Sequence, residues 1–193
     1  MASLDRAYEI YNVTTDDEWE LTLFRIMPAD TSMQTGRSIY FQHGLVNDAE
    51  VWIGASLYYL PKDSDNLPAF LALADEGYDV WMGNNRGTKY SNINPRFPNA
   101  EGILHGKSYY EQNFKKFDFS WTDMGISDLP ALLGKVKEVS GNDKVTYIGY
   151  SQGTTQMFYG LASQEETFAD LVDKTIMLGP AVYNMRETTD RYE

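Results

Sequence analysis

GYSQGTT, residues 149–155, is the stretch that decides how this chain folds. An apolar run, KVTYIGY (residues 144–150), leads straight into it, and a helical pattern starts at Gln152. A serine between two glycines at a strand-to-helix junction has a steric logic. The turn is so sharp that a Cβ on either flanking residue would collide across it, which is why Gly149 and Gly153 stand there. The serine is pushed up at the carboxyl end of the sheet, where open α/β folds bind ligands. The following helix aims its amides and the positive end of its dipole at the same point. Ser151 is therefore the candidate nucleophile, with donors for a developing oxyanion beside it. The motif alone is loose, because glycine fills 15 of 193 positions; the strand before it and the helix after it give it weight.

Working outward, strand-like and helix-like segments alternate, which points to an α/β architecture. YEIYNVTT (8–15) and WELTLFRI (19–26) read as two strands about a turn at Asp16-Asp17. RSIYFQHGL (37–45) reads as a third strand ending at a glycine. Pro68 suits a first helical turn, Gly77 a helix stop, and YDVWM (78–82) a buried strand. Residues 88–119, rich in Asn, Pro, Tyr and Lys, read as a long surface loop. WTDMGISDLPALLGKVKEVSG (121–141) reads as helical in its second half. Leu129, Leu132, Leu133 and Val136 share one face there, and Gly141 caps it. KTIMLGPAVY (174–183) is the last strand. Tyr58, Tyr59 and Leu60 are candidates for an acyl pocket, with helix packing the equal alternative.

Composition narrows the chemistry. The length fits one domain, residues 1–193, with enough chain for a core. A net charge of −12 argues against a nucleic-acid partner and against electrostatic docking on anionic lipid. It leaves uncharged esters and lipids open. With no cysteine, disulfides, thiolate metal sites and cysteine nucleophiles are excluded. No phosphate or dinucleotide fingerprint is present, so neither cofactor nor metal is expected. The run MASLDRAYEIYN lacks the apolar segment of a signal peptide, no stretch is long and apolar enough for a transmembrane helix, and localisation stays open. Asn12-Val13-Thr14 is a glycosylation sequon, read here as accidental.

A resemblance now rests on several motifs in order. HGLVNDAEVWI (43–53), AFLALADEGYDVWMGNNRGTKYS (69–91), FSWTDMGISDLPALL (119–133) and GYSQGTTQMF (149–158) resemble segments of the gastric and lysosomal acid lipases, a branch of the α/β hydrolases. Tyr150 stands where that family usually has histidine. The likeness runs from about Tyr8 to Tyr183. It implies an α/β-hydrolase fold, a mostly parallel sheet flanked by helices, and hydrolysis of carboxylic esters such as neutral lipids. Ser151 would match the nucleophile, and the backbone amides of Leu45 and Gln152 the oxyanion hole. His43 reads as an imidazole that braces the loop through hydrogen bonds, not as a base.

The partners of the serine are the difficulty. In α/β hydrolases the chain order is Ser, then Asp or Glu, then His. Both histidines, His43 and His105, precede Ser151, and no histidine follows it. Asp170 and Asp173 fall before the last strand, too early for the family's acid; Asp190 comes after it. The resemblance implies a cap domain and further strands beyond this point, so the chain reads as the N-terminal portion of one hydrolase domain, truncated before the cap and the last strands. It is then expected to be inactive alone, since an unassisted serine is a poor nucleophile. Its last strand is expected to be an uncovered, aggregation-prone edge. His105 is a weak candidate base in a polar loop. The alternatives are a split enzyme whose partner chain supplies acid and base, and a degenerate hydrolase fold that binds lipid or a partner.

Overall fold

In the computed structural model, which describes residues 6–28, 30, 32, 35–59, 67–97 and 114–182 and only the backbone of 55–59, one six-stranded sheet organises everything else. Strands β1 (Tyr8–Thr14) and β2 (Glu20–Ile26) form an antiparallel hairpin. Its turn is closed by Thr15, whose hydroxyl accepts from the Trp19 N–H at 2.9 Å and donates to Asp17 at 2.6 Å. Strands β3 (Ser38–Gln42), β4 (Asp79–Gly83), β5 (Val145–Tyr150) and β6 (Val172–Leu178) complete the order β1-β2-β4-β3-β5-β6. Pairing is parallel from β4 through β6.

Parallel strands need crossovers, and the helices supply them on both faces. Helices α1 (Glu50–Tyr59) and α2 (Ala69–Asp75) come first. A short α3 (Trp121–Asp123) and a π-helical turn (Met124–Asp128) lead into α4 (Leu129–Ser140). Then follow α5 (Gln152–Ser163) and α6 (Glu165–Leu171). Side chains alternate between the faces of each strand. Tyr40, Trp81 and Tyr147 pack on one side with Leu129, Leu132, Leu133 and Val136 of α4, as their spacing predicts. Ile39, Phe41, Val80, Met82 and Ile148 pack on the other with Phe70 and Leu71 of α2. Gly77 and Gly141 stop α2 and α4 at φ 85° and 71°.

Three expectations need correction. The helical segment starts at Trp121, not half-way along. Ser120 and Asp123 form a capping box, the Ser120 N–H donating to Asp123 Oδ2 at 2.8 Å, and this fixes an earlier start. The π-turn follows where Gly125 presses on α5, since a Cβ there would lie 2.8 Å from the Gln156 carbonyl. The loop after β4 is not all surface. Ser91 and Asn94 are buried, and the Ser91 hydroxyl accepts from Thr22 N–H and donates to Asn84 O, both at 2.9 Å, extending β2 beyond its pairing with β4. The last strand begins at Val172, directly after α6. It is outermost among the described strands, with Ile176 and Leu178 exposed.

A buried ion pair joins the layers. Arg86 Nε and N–H donate to the two oxygens of Asp128 at 2.8 and 2.9 Å, and its outer nitrogens reach Asp17 at 2.6 and 2.9 Å. The guanidinium lies 5.5 Å from the Trp19 ring centroid and 5.9 Å from that of Phe119. One side chain thus ties the β1–β2 turn, the loop after β4 and the start of α4. Burial pushes the Asp128 carboxyl up to about 7, against the pull of Arg86. Asp17 is more open, at 39% exposure. Removing the buried partner leaves the buried guanidinium held only by the more open Asp17, whereas removing Asp17 leaves the buried pair intact. Asp128→Ala is therefore expected to cost about 3–5 kcal/mol and Asp17→Ala about 1 kcal/mol or less, read from urea midpoints at neutral pH.

Candidate active site

The junction of β5 and α5 carries the serine. Ser151 takes φ 51° and ψ −118°, a conformation that costs a non-glycine residue on the order of 1–3 kcal/mol. Hydrogen bonds hold it there. Its N–H donates to the Leu178 carbonyl at 3.0 Å, and its carbonyl accepts from Thr154 N–H at 2.9 Å and the Thr154 hydroxyl at 2.6 Å. The flanking glycines meet the steric demand read from the sequence. A Cβ on Gly153 would come 2.8 Å from the Gln42 carbonyl and 2.9 Å from that of His43. One on Gly149 would meet the Tyr147 ring at 2.7 Å.

The loop after β3 lies directly against this turn. Parallel pairing sets Gln42 opposite Gly149, so the next residues, His43 to Leu45, run beside the elbow. A Cβ on Gly44 would stand 3.0 Å from the Ser151 Cβ. Among the described residues neither the Leu45 nor the Gln152 amide finds an acceptor. Both residues line a cleft of about 330 Å³, with Met124, Phe117 and Phe119 on its apolar side. Such an arrangement can offer two amides to an oxygen that gains charge next to the serine. Leu45 itself is exposed.

His43 is not a free base. It is 2% exposed, and burial lowers its pKa, so the ring is neutral near pH 7. Nε2 accepts from the Asn85 N–H at 3.2 Å, and Nδ1 faces the Gly44 carbonyl at 2.9 Å. This matches the bracing role expected for it. Asp170 lies in α6, and Asp173 lies inside β6 instead of before it, because that strand starts two residues earlier than read from the sequence; both stay away from the elbow. Asp170 pairs with Lys137 at 2.7 Å, and Asp173 accepts from Thr146 at 2.9 Å, at the far end of β5 from Ser151. His105, Asp190 and the side chains of Tyr58, Tyr59 and Leu60 lie outside the described residues. Among the described residues no helix is long and apolar enough to cross a membrane.

Asn85 was missed in the sequence. Its backbone orders His43, and its side chain is buried with neither amide atom paired. Nothing in GNNRG marks that role, because it depends on β4 ending next to β3. Tyr150, which departs from the resembled motif, sets its ring against Trp52 with centroids 6.3 Å apart.

The family model described as alpha/beta hydrolase fold matches residues 37–191, and that of a partial alpha/beta-hydrolase lipase region matches residues 2–56. Lipase lipl-3 of Caenorhabditis elegans is 35% identical over 175 residues, 89% of this chain and 38% of that lipase. Lipase 1 of Drosophila melanogaster is 35% identical over 186 residues, 94% of this chain and 35% of that one. The chain thus spans little more than a third of these curated relatives. Among solved structures, an esterase of Pyrococcus furiosus superposes with TM-score 0.58 at 18% identity, covering 98% of this chain and 58% of the esterase. A Vigna radiata epoxide hydrolase reaches TM-score 0.53 at 14% identity, covering 91% and 40%. At such identities these two show the fold alone.

The strain at position 151 can be measured. Ala normally stabilises relative to Gly, but here the order should invert: Ser151→Gly is expected to exceed Ser151→Ala in stability by about 1 kcal/mol, because glycine adopts positive φ freely. Equal urea midpoints would remove the strained turn from the account.

Proposed function

The chain belongs to the α/β-hydrolase fold family, and on that premise we propose that it is the N-terminal portion of a serine hydrolase of carboxylic esters, acting on neutral lipids. The observation that carries the reading is Ser151 held at positive φ against Gly44, while the amides of the residues that follow each of them, Gln152 and Leu45, have no acceptor among the described residues. The lipase names of the relatives, the match to the lipase-region model, and an apolar cleft wall support an uncharged ester as substrate.

In this mechanism the Ser151 hydroxyl oxygen attacks the ester carbonyl carbon. The carbonyl π pair moves to its oxygen, and the oxyanion is bound by the N–H groups of Leu45 and Gln152. The hydroxyl proton passes to a histidine that these 193 residues do not provide after Ser151. That histidine returns the proton to the departing alkoxide, the alcohol leaves, and an acyl group remains on Ser151. Water attacks the acyl carbonyl as the same base takes its proton; the bond to Ser151 Oγ then breaks, the base returns the proton to Oγ, and the acid is released. The Ser, acid, His order of such enzymes places the acid and the base beyond the elbow, in further chain or in a partner chain.

The test is covalent labelling. In the protein isolated from its source, an alkyl fluorophosphonate is expected to modify Ser151, with labelling lost in Ser151→Ala. The 193 residues expressed alone should react slower by on the order of a thousandfold or more, since the triad base is missing. Equal rates would make His105 the base. No labelling of the isolated protein would leave a non-catalytic fold that binds lipid or a partner.

A further inference from the structure

A trans peptide points its carbonyl and its N–H in opposite directions. The Gly44 carbonyl and the Leu45 N–H belong to one peptide, and no cis bond occurs among the described residues. Whatever holds the Gly44 carbonyl therefore aims the Leu45 amide. The His43 ring, buried on the sheet side, is what holds it: Nδ1 lies 2.9 Å from Gly44 O. The ring's own state is set from its other nitrogen. The Asn85 N–H donates to Nε2, so Nε2 must be bare, and the single proton of a neutral ring must sit on Nδ1, where it donates to Gly44 O.

The next peptide is clamped as well. Val46 has φ 56°, costly for a β-branched residue, and its side chain is 97% exposed, so packing does not offset the strain. The Asn47 side-chain N–H holds the Leu45 carbonyl at 3.1 Å. The loop does not relax to this shape by itself; hydrogen bonds on successive peptides hold it.

We infer that His43 is a positioning residue for the oxyanion hole, its Nδ1–H tautomer fixing the Gly44–Leu45 peptide so that the Leu45 N–H faces the space above Ser151. The inference rests on the proposed ester-hydrolase reading of that space. It differs from simple bracing, which would affect stability and leave reactivity alone.

Two conservative variants separate these roles. In His43→Asn the side-chain N–H falls near the Nδ1 position and still reaches Gly44 O. In His43→Gln the side chain instead fills the Nε2 position and faces Asn85. Labelling by an alkyl fluorophosphonate in the protein isolated from its source is followed for both, with maximal rate and half-saturating concentration separated. His43→Gln should lower the maximal rate by about 10–100-fold, less than the roughly 100–1000-fold of removing a donor outright because the amide is displaced and not lost, with the half-saturating concentration unchanged and with His43→Asn close to wild type. Equal rates in both variants, or a loss confined to half-saturation, would overturn the role. If wild-type Ser151 is not labelled at all, the hydrolase reading fails first, and ring ¹⁵N shifts still decide the arrangement. A protonated Nδ1 with a bare Nε2 supports it, and an Nε2–H tautomer sinks it.

Discussion

At the carboxyl ends of β3 and β5 two turns meet so closely that a Cβ has no room at Gly153 and little at Gly44. Gly153 sits under the Gln42 and His43 carbonyls, and Gly44 sits against the serine. The parallel register that pairs Gln42 with Gly149 makes this contact unavoidable, because both strands then end at one level and both turns crowd the same space. A Cβ on Gly153 would push the elbow and the loop after β3 apart. The fold enforces this closeness, and hydrophobic layers on both sides of the sheet keep the strands in register.

The cleft's other wall depends on a different kind of force. Arg86 and Asp128 are almost fully buried, and desolvating both ions offsets much of their attraction. Such a pair is weak evidence for stability. Its value lies in geometry, since the guanidinium has donors on several sides and engages a hairpin turn, a helix start and two aromatic rings at once. A hydrophobic replacement could fill the volume, but it could not fix three loops at defined angles. Gly87, next in sequence, has Phe119 over it, so the loop after β4 is set from both sides.

Much of this was legible in the chain, and the reasons are physical. Strands β3, β4 and β5 show as short apolar runs because both faces are covered; the α4 face shows because Leu129, Leu132, Leu133 and Val136 keep helical spacing. The elbow shows because its steric demand falls on two glycines near one serine. What stayed hidden depends on long-range pairing. Ser120 and Asp123 fix an earlier helix start through side chains that read as loop polarity. Ser91 and Asn94 looked like surface residues, yet Ser91, with the Ile93 carbonyl, satisfies the backbone of β2 where the sheet leaves it open, and Asn94 holds the Asp17 carbonyl in the turn before it. Asp17 meets Arg86 across 69 residues of chain, and no local pattern reports such a contact. His43 could be assigned a bracing role from its place in the loop, but its tautomer required knowing that Asn85 arrives beside it.

The contacts that fix the serine and the two amides share one origin. Leu178, Thr154, Gly44, His43 and Asn85 belong to β3 through β6, to α5 and to the loops between them, so the geometry around Ser151 is built by these segments. The strained φ of Ser151 is held by the same contacts. The turn keeps its cost through hydrogen bonds to neighbours that the sheet and α5 already place: the Ser151 N–H donates to the Leu178 carbonyl, and its carbonyl accepts from Thr154.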